Sequence, residues 1–403
     1  MATASANALT PYNAEYWASA MQPTFFKESV ALGIANTELR AELSDGDTVH
    51  KPYSSYPRVQ TYTKGSDITV KDISSTDDYL TVDTTKICSF YIDDIDKIQN
   101  KYSVMSEFSA KAMKQLNNVL DQAVMSQYSN ATTTLSGASI GETAGGIVFT
   151  TANCSNVFTA AGRVLNAANR TGGKRFALIG PRMLETIQQY VGGRETGFGD
   201  KVGDNGYVGS RFGFDLMLTN NLPFTAVFDM DTILVDTDTV TINGVTFTAD
   251  ADGAAVGAGH FSIQNSADLC NAQLASAIND DGTPGVDTYI ALSDENRQLL
   301  ESAGIVATSD TDANTLTITG YGDIVVSTSN SVSAEWSSVY QYALMGEVGA
   351  IDLVTQSAPK VEIKDAELRL GKWVHPWMLY GVKTFTRNKG SLVAVQMDVS
   401  SWS

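Results

Sequence analysis

The sequence predicts an α+β protein whose subunit is incomplete by itself, and three observations support this. A strand pattern leads directly into a very long helix pattern within residues 79–128. A polar segment with short strand patterns, residues 46–86, contains few residues that could form a core of its own. An acidic segment, residues 229–335, interrupts a second set of strands. Together these features favour a protein that assembles with copies of itself over a compact enzyme.

The first 86 residues are expected to depend on a neighbour. Residues 1–45 contain two amphipathic stretches without a strong core pattern, so we interpret them as an N-terminal arm. Residues 46–86 are rich in Ser, Thr, Asp and Tyr. A two-stranded hairpin is marginally stable alone in water. A long extended loop at 46–86 therefore implies a partner surface.

The strand and helix that follow have clear periodicities. The apolar residues Leu80, Val82, Cys88, Phe90 and Ile92 all fall on even positions, with mostly polar residues between them, which is typical of a half-buried strand. Asp93 and Asp94 can then cap a helix, and no Gly or Pro occurs until Gly137. The apolar stripe consists of Ile95, Ile98, Tyr102, Met105, Phe108, Ala112, Leu116, Val119, Ala123 and Tyr128. A helix of about 30–35 residues would be about 45–53 Å long.

The middle of the chain alternates between helix and strand patterns. A helix is expected at 152–169, a short buried strand at 176–179, a second helix at 183–190 and a strand at 214–218. Eight glycines between Gly192 and Gly213 indicate a sharply turned loop. A dinucleotide-binding loop should follow a strand and begin a helix. This run follows a helix and precedes a strand, so a flexible loop near an oligomer axis is the better interpretation.

The acidic segment is the clearest domain signal in the composition. Residues 229–335 contain 17 acidic residues and one basic residue, Arg297, whereas the rest of the chain is close to neutral in a protein of net charge −18. Asn243–Gly244 predicts a hairpin, and Ser266 and Ser293 can each cap a helix. We expect an inserted α+β domain that stays folded independently, so that removal of residues 232–330 leaves a folded protein.

Strand patterns return after the acidic segment. We expect strands at 351–354, 361–363, 368–370, 378–385 and 392–399, with breaks at Pro359 and Gly371. A domain interrupted by an insertion explains this order: the chain leaves a sheet near Pro223, forms the acidic module and returns near Tyr340.

In combination, these segments resemble the major capsid proteins of tailed bacteriophages, the Hong Kong 97-type fold. The transition at 80–98 resembles that family's passage from extended loop to spine helix. The stretch 175–181 resembles its central strand, and 206–223 resembles its Gly-rich turn, Gly-Phe pair, strand and Asn-Pro ending. Tyr380–Gly381 within a C-terminal strand also fits. The acidic segment departs from a minimal member of the family.

The resemblance implies the domain organisation and the role. Expected are an N-terminal arm (1–45), an extended loop (46–86), a peripheral domain with the spine helix (87–147 and 355–403), an axial domain (148–228 and 336–354) and the acidic insertion domain (229–335). The function implied is self-assembly into hexamers and pentamers of an icosahedral shell in the virion, formed in the host cytoplasm around double-stranded DNA that is not read by sequence. Portal, scaffold and decoration proteins would be further partners.

We expect no catalytic, cofactor-binding or metal-ligating residue, no cofactor and no membrane partner, and therefore no enzyme activity. The chain has three cysteines and three histidines, and no run of about 18 apolar residues. Cys154 with His375 forms no known motif. Asp-x-Asp pairs at 229/231, 236/238, 250/252 and 310/312 lack the distal Glu of a calcium loop, although a bound cation remains the alternative to a solvated acidic surface.

Two surfaces and two other functions stay open. The aromatic residues Trp373, His375 and Trp377 indicate packing at a sheet edge or subunit contact. The basic residues of 360–389 alternate with Glu362, Asp365 and Glu367, which favours charge pairing between subunits over a nucleic-acid groove. The alternative functions are a tail-tube or decoration subunit of a phage, or a carbohydrate-binding or hydrolytic protein.

Overall fold

The computed structural model describes residues 27–41, 43, 46–70, 72–99, 104–193, 209–230, 232–263, 266–310, 312–329, 334–366 and 369–400. Both helices and sheets are present throughout, which confirms the predicted α+β class. The helices are α1 Asp94–Gln99, α2 Val104–Met125, α3 Cys154–Ala167, α4 Pro181–Gly192, α5 Ala267–Asn279 and α6 Asp294–Ser302. The strands are β1 Thr48–His50, β2 Tyr53–Ser54, β3 Ser75–Thr76, β4 Tyr79–Thr81, β5 Thr84–Ile87, β6 Phe90–Asp93, β7 Thr133–Leu135, β8 Arg175–Ile179, β9 Ser210–Arg211, β10 Phe214–Leu218, β11 Pro223–Met230, β12 Thr239–Ile242, β13 Val245–Asp250, β14 His260–Ser262, β15 Val306–Asp310, β16 Thr315–Tyr321, β17 Val326–Ser329, β18 Ala334–Glu347, β19 Asp352–Asp365, β20 Gly371–Lys383 and β21 Leu392–Asp398.

The extended loop is an antiparallel ribbon at its base. β1 pairs with β4, and β2 pairs with β3. Beyond β2 and β3, the backbone bond from Ser55 to Ser74 continues the ribbon, and a turn at Thr63–Ser66 reverses the chain. Of the short strand patterns in this polar segment, those at 59–62 and 68–70 form no strand and pair with no other described strand within the monomer.

A peripheral sheet carries the spine helix. β20 lies between β19 on one side and β5 and β6 on the other. The two ends of the expected long helix are α1 and α2, and residues 100–103 between them lie outside the described residues. With 22 residues, α2 alone is about 33 Å long at 1.5 Å per residue.

The predicted break at Pro359 is wrong, because β19 continues from Asp352 to Asp365. The register of its pairing with β20 shifts between Thr355 and Lys360. A proline is tolerated there because β19 is an edge strand, where a missing N–H does not interrupt a ladder on both sides. The strand expected at 368–370 falls partly on residues that are not described, and the described part, 369–370, is not a strand.

The main sheet contains nine strands among the described residues. Its order is β15-β16-β11-β18-β8-β10-β9, and β21 pairs with β18 and with β7. The 14 residues of β18 span this sheet, pairing with β11 near their start and with β8 and β21 near their end. Helix α3 packs against β21, β7 and α4. The expected helix at 152–169, strand at 176–179 and helix at 183–190 all contribute side chains to one hydrophobic core.

The acidic segment divides its strands between two sheets. β12, β13, β14 and β17 form a four-stranded sheet of their own. β15 and β16 instead extend the main sheet, where β16 pairs with β11 from Pro223 to Asp229. The expectation that residues 232–330 can be removed without loss of folding therefore conflicts with the structure, since removal would leave β11 without a partner on one side. The boundaries of the arm, loop, peripheral, axial and insertion domains stay predictions.

Candidate assembly interface

The root of the extended loop is fixed to the body of the chain through Asp78. Its carboxylate lies 2.7 Å from Lys383 Nζ at the end of β20 and accepts a hydrogen bond of 2.9 Å from the Thr386 N–H. Burial would raise the pKa of Asp78, but the hydrogen bonds from Lys383 and Thr386 outweigh burial and lower this pKa to about 2. The carboxylate is therefore charged, and the contact intact, at any pH near neutrality.

A second carboxylate, Asp352, holds the other strand of the root. Its Oδ1 accepts a hydrogen bond of 2.8 Å from Asn36 Nδ2 and lies 3.4 Å from Lys51 Nζ. The Asp352 side chain is completely buried. Burial raises the pKa of this carboxyl, although Lys51 and Asn36 act in the opposite direction. Asp352 thus connects the arm, the loop and the first residue of β19 at one point.

Arg387 completes the attachment from the segment after β20. Its guanidinium lies between two aromatic rings of the loop, 4.9 Å from the centre of Tyr53 and 5.0 Å from that of Tyr56. The same group donates a hydrogen bond of 2.7 Å to the carbonyl of Ser54. Stacking of this kind orients a planar guanidinium, so Arg387 fixes the direction in which the loop leaves the body.

Beyond this root the loop exposes apolar side chains to solvent. The exposed fractions are 100% for Val59, 71% for Ile68, 87% for Val70 and 71% for Ile73. Single exposed apolar residues need no explanation, but a concentration of them on one projecting element indicates a contact site. This pattern agrees with the expectation that the loop needs a partner surface.

The start of the spine helix exposes apolar side chains as well. Ala112 and Leu116 of the predicted stripe are buried, as expected, and its members Val119 and Ala123 are half-buried and pack against the same core. Ile95 and Ile98 of α1 are instead 52% and 83% exposed, and Phe108 is 44% exposed while it contacts Phe90. The continuous stripe in the sequence therefore has two parts, one that packs inside the subunit and one that is uncovered in it.

The arm departs from its expected dependence on a neighbour. Residues 1–26 lie outside the described residues, but the part from residue 27 packs on the body of its own chain. Ala31 and Ile34 are each 1% exposed in the main core. Asp121 Oδ1 on α2 accepts hydrogen bonds from the N–H groups of Val30 and Ala31 at 2.9 and 2.7 Å. The expectation that the arm needs a neighbouring subunit to pack on is wrong for this part.

Lys27 marks the point where the described arm begins. Its Nζ donates a hydrogen bond of 3.2 Å to the carbonyl of Tyr321. Burial lowers the pKa of Lys27, while Asp121 and Asp323 raise it by a smaller amount. The arm is thus anchored on the spine helix and on the last residue of β16.

The candidate catalytic residues lie in unrelated surroundings. Cys154 is fully buried in the main core at the start of α3. His375 lies on β20, where its Nδ1 is 2.9 Å from Ser89 Oγ and its ring stacks with Trp373. Trp373 also contacts Tyr91, and Lys360 lies over the Trp377 ring. The aromatic cluster is therefore a strip across the peripheral sheet.

Several of the described Asp-x-Asp carboxylates accept hydrogen bonds from within the acidic segment. Asp236 accepts from the Ala251 N–H, Asp238 from the Val235 N–H, and Asp310 from the Asp312 N–H. Asp250 Oδ2 lies 2.7 Å from His260 Nδ1, and Asp231 lies outside the described residues. Across the described ranges, no group of three or more His, Cys, Asp or Glu side chains could hold a metal ion.

The remaining candidate surfaces are mostly paired or outside the described residues. Residues 194–208 of the Gly-rich run are not described. Among the basic residues of the C-terminal part, Lys360, Lys372 and Lys383 each have a carboxylate partner within the chain. Pairing of these cations leaves less positive charge for a nucleic-acid groove. No helix of the described chain is long and apolar enough to cross a membrane.

Solved structures from bacteriophages share this architecture over nearly the whole chain. A structure from Mycobacterium phage Che8 matches with a TM-score of 0.57 and 14% identity, covering 95% of this chain and 96% of that one. The capsid structure of cyanophage P-SCSP1u matches with a TM-score of 0.54 and 13% identity, covering 98% and 95%. The capsid asymmetric unit of cyanophage Pam1 matches with a TM-score of 0.50 and 11% identity, covering 98% of this chain and 99% of that one. The protein has the fold of a tailed-phage major capsid protein.

The capsid fold confirms the resemblance inferred from the sequence. No family model and no curated protein matches the sequence, so the likeness is one of structure. The contacts of Asp78, Asp352 and Asp121 were not predicted from the sequence. Each joins residues about 90 to more than 300 positions apart, and no local pattern distinguishes these carboxylates from the other acidic residues of the chain.

Proposed function

We propose that this protein is a major capsid protein that assembles into hexamers and pentamers of an icosahedral shell enclosing double-stranded DNA. The capsid fold supports a structural role. The single observation that carries the proposal further is the loop, whose root is fixed by Asp78, Asp352 and Arg387 while its outer part exposes apolar side chains. A rigidly held element with an uncovered apolar surface is suited to contact another subunit.

In this proposal the loop 46–86 lies across a neighbouring subunit and the arm before residue 27 reaches the next one. The spine helix stiffens the subunit. The acidic segment faces outward, because its excess of negative charge would repel the phosphates of packaged DNA. DNA is contained and not read, so base-specific contacts are not expected. Portal, scaffold and decoration proteins are further proposed partners, with assembly in the host cytoplasm.

Sedimentation velocity and negative-stain microscopy of the purified protein test the proposal. We expect capsomers or closed shells. Tubes would favour a tail-tube subunit, and monomers at every concentration and ionic strength tested would contradict the proposal.

Two exposed valines provide a matched pair of variants. Val59 is 100% exposed in the loop, and Val256 is 79% exposed in the acidic segment. Val59→Asp should reduce assembly at least ten-fold, because a carboxylate would be buried in the contact. Val256→Asp should assemble normally if the acidic segment faces outward. Both should unfold like the wild type, since neither side chain packs in the monomer.

A further inference from the structure

The outer half of β19 is an uncovered sheet edge. β19 pairs only with β20 among the described strands. At the other edge of β19, Asn36 of the arm forms a β-bridge with Asp352: its N–H donates to the Ile351 carbonyl, and its carbonyl accepts from the Leu353 N–H. From residue 360 to residue 365 no described backbone covers this edge. Val361 and Ile363 are 36% and 50% exposed.

The hydrogen-bond pattern shows which groups of this edge are free. Pro376 has no N–H, and its carbonyl accepts a hydrogen bond of 2.9 Å from the Cys88 N–H on the far side of β20. Val361, directly opposite Pro376, therefore points its N–H and C=O away from β20. The bond from the Ala366 N–H to the Gly371 carbonyl fits the same alternation. The N–H and C=O groups of Val361, Ile363 and Asp365 thus face outward.

The loop provides an extended segment whose backbone N–H and C=O groups also make few hydrogen bonds. Among residues 56–70 and 72–73, the backbone makes one hydrogen bond to backbone, from the Ser66 N–H to the Thr63 carbonyl at the turn. Ser66 to Val70 alternates polar and β-branched residues, which favours a strand. Both elements therefore carry backbone groups that a second strand would satisfy.

The side chains of the two elements also match. In an extended chain Ile68 and Val70 lie on one face and Asp67 and Thr69 on the other. On β19, Ile363 shares a face with buried Val374, directly opposite it, and Lys364 lies on the other face. Lys360 is already paired with Glu362 and Trp377, whereas Lys364 makes no ion pair to a described residue. Antiparallel pairing that places Ile68 opposite Ile363 also places Asp67 opposite Lys364.

We propose that residues 66–70 of the loop of one copy add as an antiparallel strand to the outer edge of β19, residues 360–365, of a second copy. This inference rests on the proposed function and names the surface that receives the loop. The new ladder uses the outward groups of Val361 and Ile363. It buries Ile68 and Val70 beside them and pairs Asp67 with Lys364. The arm at Asn36 occupies the start of the same edge, so the two additions cover different parts of it.

Disulfide trapping between separately purified chains tests the pairing. Ile68→Cys and Ile363→Cys are placed in different chains, each in a Cys88→Ser background, because Cys154 and Cys270 are buried and Cys88 is not. Neighbouring strand residues lie within disulfide distance. Oxidation of particles co-assembled from equal amounts of the two chains should give a strong dimer band, because about half of the loop-to-edge contacts join the two kinds of chain. Lys364→Cys, whose side chain points to the opposite face, is the control, and cross-linking no greater than this control would overturn the proposal.

A proline variant tests the backbone contact independently. Ile363→Pro removes the isoleucine side chain and an outward N–H but no group that pairs with β20, whereas Ile363→Ala removes the side chain and keeps the N–H. We expect the proline variant to fold with an unchanged circular dichroism spectrum and to assemble at least ten-fold less than the alanine variant. Equal assembly of the two would overturn the proposal. Absence of shells from the wild-type protein would instead contradict the proposed function.

Discussion

Lys383 Nζ lies 2.7 Å from the Asp78 carboxylate, so the end of β20 holds the root of the extended loop across 305 residues of sequence. The Asp78 side chain is 9% exposed and that of Lys383 is 36% exposed. A contact with one buried partner is stronger than a surface ion pair but still partly screened by solvent. Its contribution to stability should therefore be measurable and dependent on pH.

We predict that Asp78→Asn lowers the free energy of unfolding by about 1–2 kcal/mol at pH 7. The pKa of Asp78 is lowered to about 2 in the folded protein from its ordinary value of 3.8. Its contribution is therefore fully present above the unfolded pKa and is lost as the pH falls through the folded one. The difference between wild type and variant should shrink between pH 4 and pH 2 in urea titrations.

The neighbouring residue Asp77 serves as the control for this titration. Asp77 pairs with His50 at 2.7 Å, but the two side chains are 54% and 59% exposed. Asp77→Asn should change the unfolding free energy by less than about 0.5 kcal/mol. A loss from Asp78→Asn that stays constant down to pH 2 would contradict the assigned cause.

A second prediction concerns Asp121, which is 1% exposed and receives hydrogen bonds from the arm and from Asn221. Asp121→Ala leaves buried N–H groups unpaired and removes an anion close to Lys27. We expect a loss of about 2–4 kcal/mol in unfolding free energy. Because the arm is released first, trypsin cleavage after Lys27 should become at least ten-fold faster under native conditions.

An ion pair on the surface of the same helix gives the comparison for Asp121. Glu107 lies 3.2 Å from Lys111 one turn later, and the side chains are 32% and 29% exposed. Glu107→Ala should cost less than about 0.5 kcal/mol and leave cleavage after Lys27 unchanged. Cleavage that is equally fast in the two variants would show that Asp121 does not anchor the arm.

The elements predictable from the sequence are those with a local signal. The strand before the spine helix, the buried part of the apolar stripe and the Asn243–Gly244 hairpin all follow from periodicity or turn chemistry. The exposure of Ile95 and Ile98 could not be predicted, because periodicity identifies an apolar face but not whether the same chain covers it. The sequence predicts a break of β19 at Pro359 because it does not show that this is an edge strand, where a proline is tolerated.

The third prediction concerns the acidic segment, whose pairing with the main sheet cannot be predicted from local sequence patterns. Composition marks residues 229–335 as one unit, but β16 pairs with β11 over seven residues. Deletion of 232–330 should therefore give mostly insoluble protein, or a soluble product without a cooperative thermal transition. A deletion protein that melts in one sharp transition would show that β11 does not need β16 as a partner.

The final prediction concerns Gly381, where β20 passes directly beneath the loop root. A Cβ atom at this position would lie 2.4 Å from the Thr81 carbonyl oxygen and 3.0 Å from Leu80 Cδ2. Because the first of these is a backbone atom, relief requires movement of a strand. Gly381→Ala should cost about 1–3 kcal/mol in unfolding free energy and loosen the attachment of the loop. Gly172→Ala, where a Cβ meets no atom within 4 Å, should change stability by less than about 0.5 kcal/mol. Hydrogen exchange should show faster exchange of the β1 and β4 amides in Gly381→Ala alone, and unchanged exchange there would mean that the close approach of the two strands does not hold the loop in place.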